Sequence, residues 1–287
     1  MKTTTKQKGI LLMLTSALMF SAMQIVVRLT GDRIPLMEQV FFRSIVCAAM
    51  CLVILRKNKL PLFGGIKDQP LLFLRSGFGS LGIITLFYAS ARANQADVTI
   101  LSKLSPFLIT LFAFLFLKEK IAKIQIPALL IAFCGVLFVA RPAFHSNVLP
   151  LFMAFLNSIF SSITYTLLAY SKDKVNAFTI IMHFSTVCTL ASVPFFVTNI
   201  AVPDPKDFFL LLLMGVFGGF GQIALTYAYR MAPASEVSIY NYSGILFSMF
   251  LGYIVLGETV AHTSLIGGAL VILASLLTYR YSSQTSE

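Results

Sequence analysis

Apolar residues in this chain neither alternate nor follow one helical stripe; they fill whole stretches of about 20 residues, the length that spans a bilayer as a helix. Ten stretches follow one another, at 9–28, 35–55, 70–90, 94–117, 121–140, 148–170, 176–199, 207–230, 234–256 and 262–280. The connections are short, and the longest on the inner side runs from Arg56 to Gln69. No segment could fold as a soluble domain. The first stretch follows a basic start but is long enough to span and offers no persuasive small-residue cleavage site, so it reads as an uncleaved span. The pattern predicts an all-α integral membrane protein with ten transmembrane helices, multi-pass in a cell membrane (the inner membrane in a bacterium).

Composition agrees. Of 287 residues 57% are hydrophobic and 11% charged, against about 25% charged in soluble domains. Lipid is the natural solvent for most of these side chains. A net charge of +11 would suggest nucleic acid in a soluble protein, but the basic residues cluster between spans, which excludes that partner. Lys2, Lys6, Lys8, Arg56, Lys57, Lys59, Lys67, Lys118, Lys120, Lys123, Lys172, Lys174, Arg230 and Arg280 fall on one side. The other side holds only Arg28, Arg33, Arg92, Arg141 and Lys206. Basic loops stay in the cytoplasm, so both termini are expected there.

Shifting the chain by 139 residues lays Phe78, Gly79 and Gly82 on Phe217, Gly218 and Gly221, then Tyr88-Ala89 on Tyr227-Ala228. The same ungapped shift matches Ala93 to Ala232, Val98 to Val237, Leu117 to Leu256, Glu119 to Glu258 and Arg141 to Arg280. Shared hydrophobicity does not by itself align glycines and glutamates. Residues 1–141 and 142–287 therefore read as two five-helix repeats. Five is odd, so the second enters the membrane from the opposite side. Inverted repeats of this kind place a substrate site at their interface near the midplane.

With Phe42-Arg43-Ser44, Leu74-Arg75-Ser76, Phe87-Tyr88-Ala89, Ala96-Asp97-Val98-Thr99, Ser105-Pro106 and Leu117-Lys118-Glu119-Lys120, the first half resembles the drug/metabolite transporter superfamily, EamA type. The second half contributes the run from Gly221 to Ala228, Ala232-Pro233-Ala234-Ser235 and Leu256-Gly257-Glu258. Within that superfamily the first half is most similar to the solute carrier 35 G-type branch. The resemblance implies secondary transport, often export, of amino acids, nucleobases, organic ions or related metabolites.

Charges deep in a bilayer are costly and mark function by default. Lys103 is about 13 Å into its span and Arg43 about 12 Å, and both are candidate substrate contacts. Glu38 is a candidate partner for Arg43 or a gating group, although five residues' separation puts the two on different helical faces. Arg75 is close enough to the cytoplasmic end to be expected to snorkel. Asp97 and Glu236 occupy first turns, where the helix dipole accounts for a carboxylate. Glu119 and Glu258 end their helices at opposite faces, at the interface.

Tyr240, Asn241 and Tyr242 also approach the midplane. Tyr242, the repeat partner of Lys103, and Asn241 are the two expected to orient a substrate. Aligning Ser185-Thr186-Val187-Cys188 with Ser44-Ile45-Val46-Cys47 places His183 opposite Phe42, as a relay or packing residue. Pro106 breaks the ladder just after Lys103 and frees the carbonyl of Ser102, a cavity-lining or gating feature. Gln24, Tyr165, Asn157 and Gln222 complete the candidates, and the glycines of spans 3 and 8 suit close helix packing.

Cys47, Cys51, Cys134 and Cys188 lie in apolar runs without ligand-like spacing, so no redox role, metal or cofactor is expected. With no HExxH spacing, carboxylate pair or Walker motif, neither an intramembrane enzyme nor an ATP-driven pump is indicated. The expected activity is alternating-access transport of a small anionic or zwitterionic metabolite such as an amino acid or carboxylate, with a proton or sodium as coupling ion. A neutral or cationic solute such as a nucleobase or drug, or passive channel flux, stays open.

Overall fold

The computed structural model describes residues 4–30, 33–90, 92–93, 95–140, 147–198, 202–257 and 262–284. They form α1 (Thr5–Thr30), α2 (Leu36–Lys57), α3 (Gln69–Ser90), α4 (Gln95–Ser102), α5 (Ser105–Leu117), α6 (Gln125–Ala140), α7 (Val148–Tyr170), α8 (Ala177–Thr198) and α9 (Pro205–Met231). Then come α10 (Ala234–Val237), a 3₁₀ segment (Ser238–Tyr242), α11 (Ser243–Leu256) and α12 (His262–Gln284). Counting α4–α5 and α10–α11 as single broken spans, nine described segments are long and apolar enough to cross a membrane. The tenth, α6, has 16 residues. It starts later than the apolar run at 121 suggests, because Lys118 turns the chain left-handed (φ 56°) and the Gln125 side chain accepts from the Ala122 amide at 2.8 Å.

Packing follows a two-fold exchange of the halves. Helix α1 lies along α9 as α7 lies along α3; α2 meets α8, and α6 meets α12. The last pair crosses backbone to backbone. A Cβ on Gly135 would stand 2.6 Å from the Gly267 carbonyl, so only glycine permits this approach. Helix α9 presses its glycine face on α2, where a Cβ on Gly215 would meet Val46 at 2.5 Å. Of the glycines expected to pack closely, Gly79, Gly215, Gly218, Gly219 and Gly221 do, whereas a Cβ on Gly82 would make ordinary contacts at 3.6 Å and one on Gly77 would meet nothing within 4 Å.

Lateral surface is apolar, with Leu11, Val53, Phe116 and Phe209 each more than 60% exposed. In water this would be an aggregation hazard; here lipid covers it. The start of α1 and the end of α12 meet at one face, where the Gln7 amide donates to the Tyr279 hydroxyl at 3.3 Å. The same face carries Lys6–Glu236 at 2.7 Å, and Arg230 donates to the Val175 carbonyl at 2.7 Å and to that of Lys172. Glu119 caps α10, accepting from the Ala234 and Ser235 amides at 2.9 and 3.0 Å and from the Ser235 hydroxyl at 2.6 Å. It is thus a tie between the halves rather than a free interfacial charge. At the opposite face Arg33 forms a forked pair with Asp207 (3.0 and 2.7 Å), which raises the guanidinium pKa above its ordinary value. The side chain of Asp97 and all of Glu258 lie outside what is described.

Candidate substrate site at the repeat interface

Two repeat-equivalent spans are broken at equivalent positions. In the first half α4 stops at Ser102 and α5 restarts at Ser105, with Pro106 in its first turn. Proline offers no N–H to Ser102, and the Phe107 amide turns to Leu104 at 3.1 Å, which leaves the Lys103 carbonyl free. Tyr242 fills it from the other half, its hydroxyl donating at 2.9 Å. Lys103 returns the contact, its ammonium donating to the Asn241 carbonyl at 3.2 Å. Lys103 and Tyr242, one repeat length apart in sequence, thus cross-link the two breaks. Asn241 takes part through its backbone rather than its amide.

A second constellation lies between α2, α8 and α9. Arg43, Ser44, Cys47, Phe184, Ser185, Gly218 and Gln222 line a cavity of about 10 Å³, room for about one water. Its walls are related by the repeat. The alignment of Ser44 with Ser185 sets Arg43 opposite Phe184 and Cys47 opposite Cys188. Glycines seat both: a Cβ on Gly218 would stand 3.1 Å from Arg43 Nε, and one on its counterpart Gly79 would stand 2.7 Å from Phe184.

Arg75 corrects the sequence-based expectation of snorkelling. It is 2% exposed, with its guanidinium carbon 3.8 Å from the Phe184 ring centroid. Neither Nε nor Nη1 has a hydrogen-bond partner. The reason is packing: Gly79, one turn on, opens the space into which the guanidinium folds, and its Cβ position is 3.3 Å from Nη1. A cation–π contact is worth about 2 kcal/mol when desolvated, less than the several kcal/mol that burying an unpaired charge costs. Arg43 has neither ion pair nor hydrogen bond among the described residues, and its guanidinium carbon is 5.8 Å from the Phe20 ring. Glu38 is 1% exposed in the first turn of α2 and does not pair with Arg43.

The other candidates separate. Tyr165 stacks on Tyr229 (5.2 Å, 14°) within electrostatic reach of Arg75 and Arg43. His183 is held by its neighbours, with Nδ1 2.8 Å from the Ser76 hydroxyl and its ring edge-on to Phe73 at 4.8 Å. Gln24 is exposed beside Ser248 at 3.4 Å. Asn157 donates to the Gly82 carbonyl at 2.8 Å and serves packing, while Gln222 does reach the cavity. Sequence reasoning missed Arg75, Phe184 and Ser185. Arg75 gave a signal, an arginine inside an apolar run, but distance from the span's end could not tell inward folding from snorkelling.

Nine described segments of membrane-spanning length and the shorter α6, in two halves related by exchange with broken helices meeting at their interface, suit a membrane transporter. The chain belongs to the EamA-like transporter family, whose model matches residues 7–141 and 148–280. It is therefore a multi-pass membrane transporter and not an enzyme. Among relatives, "Pseudopaline exporter CntI" of Pseudomonas aeruginosa is 28% identical over 94% of this chain and 95% of its own length. "Solute carrier family 35 member G1" of Mus musculus is 26% identical over 93% of this chain and 76% of its own. A solved crystal structure superimposes with a TM-score of 0.86, covering 97% of this chain and 99% of that one at 13% identity, and so shares the fold.

Proposed function

We propose that this protein is a secondary active transporter that exports a small anionic or zwitterionic organic metabolite by alternating access, driven by a proton or sodium gradient. The observation that carries the substrate class is a charge imbalance. Arg43, Arg75 and Lys103 lie within the bundle, and among the described residues no carboxylate pairs with any of them. Buried cations without counter-ions favour a ligand that brings the negative charge. Alternating access is supported by the two helix breaks, where backbone dihedrals can change without rebuilding a whole span. The relative named as an exporter supports the direction.

The test is counterflow in proteoliposomes. Flux of labelled amino acids or carboxylates should saturate, be stimulated by unlabelled substrate on the far side, and collapse with the proton or sodium gradient. Conductance at channel rates, or stimulation by neutral and cationic solutes alone, would overturn this reading.

A further inference from the structure

The cavity between α2, α8 and α9 has a feature that neither the repeat nor the helix breaks require. It lies where the halves exchange: Ser44 faces Ser185, Cys47 matches Cys188, and Gly218 matches Gly79. Symmetry is broken at Arg43 against Phe184, and also at Gln222 against Ile83. The charge at this site is positive on both counts, because the Arg75 guanidinium lies over the ring of that same phenylalanine, its central carbon 3.8 Å from the centroid. Arg75 is 2% exposed, and two of its N–H-bearing nitrogens find no acceptor. Ser44, Ser185 and Gln222 add neutral polar groups that are 5%, 2% and 5% exposed.

We infer that Arg43, which lines the cavity with Phe184, and Arg75, which lies over the Phe184 ring, form the receptor for an oxyanion group of the cargo, and that Lys103 is not part of it. This rests on the transporter reading above. Guanidinium suits an oxyanion, because its planar fork matches the two oxygens of a carboxylate or phosphate and stacks on an aromatic ring without losing its edge donors. Lys103 is already engaged, donating to the Asn241 carbonyl; it ties the halves together and positions the broken helices. In the conformation seen here the cavity admits about one water, so cargo must enter by separation of α2 from α8. The Ser44 and Ser185 hydroxyls and the Gln222 amide then supply neutral contacts beside the charge.

The experiment measures thermal unfolding of the purified full-length protein in detergent, titrated with sodium succinate, sodium phosphate and the uncharged succinamide, with ionic strength held constant by chloride. Succinate or phosphate should raise the Tm by ligand linkage and succinamide should not; the better anion tells carboxylate from phosphate cargo. Arg75→Gln should weaken the apparent affinity at least about tenfold, Arg75→Lys should recover only part of it, and Lys103→Gln should keep it. Should Arg75→Gln fail to fold, the half-buried Arg43→Gln carries the same expectation. Stabilisation by neither anion, equal stabilisation by succinamide, or an unchanged affinity in the arginine variants would overturn the assignment. Counterflow of the same two anions separates the two readings. Arginine-dependent stabilisation without carrier flux would sink the transport reading alone, and carrier flux indifferent to both arginines would sink this site alone.

Discussion

Lys118 and Gly257 are repeat partners that end α5 and α11 in the same left-handed conformation, with φ of 56° and 67°. Glycine adopts it freely, whereas a side chain costs about 1–2 kcal/mol there. Lys118→Gly should therefore stabilise the protein by about 1 kcal/mol, less any loss of cytoplasmic positive charge, and thermal unfolding in detergent will show it. The pair also marks the limit of residue-level reading. Leu-Lys-Glu and Leu-Gly-Glu were legible as equivalent helix ends, but nothing in the first tripeptide announces a strained lysine. Tyr242 is a second case. Its hydroxyl serves the Lys103 carbonyl, left free at the break of the other half because the Phe107 amide turns to Leu104, so Tyr242→Phe should cost about 1 kcal/mol and slow transport, read by unfolding and by counterflow. A proline at 106 predicts a free carbonyl at Ser102; only the fold shows that Tyr242 serves the next one, that of Lys103.

At the scale of elements, the broken span of the first half was readable and that of the second was not. Pro106 interrupts α4–α5 by chemistry. Its repeat counterpart is Ile245, which would continue a helix, yet Ser238–Tyr242 winds as 3₁₀. There the tighter turn coincides with the Lys103 ammonium on the Asn241 carbonyl and with Glu119 on the first amides of α10. Helix crossings separate glycines of different tolerance. A methyl at Gly135 would strike the Gly267 backbone at 2.6 Å, whereas one at Gly219 would strike the flexible end of Met50 at 2.6 Å. Gly135→Ala should accordingly cost about 1–3 kcal/mol and Gly219→Ala clearly less, in the same unfolding assay. Sequence marked Gly219 as a packing glycine but not Gly135, and could rank neither, because the rank depends on which atom stands opposite.

For the whole molecule, the inverted arrangement predicts orientation. A cysteine at Asn58 should react with impermeant maleimide only in inside-out vesicles, and one at Lys206 only in right-side-out vesicles, in a background with the four native cysteines replaced. Labelling both from one side would reject the topology.

The sequence by itself determined the lipid-bound class, the ten segments within a few residues, the likeness of the halves and the family, because these follow from hydrophobic length, basic-loop bias and a fixed repeat shift. Those properties are local or periodic. Tertiary structure decided that Arg75 folds inward onto the Phe184 ring, that Lys103 is held by a carbonyl, and that His183 packs against Ser76 and Phe73. Each depends on what a neighbouring helix, more than a hundred residues away along the chain or seated by one glycine, presents at that depth.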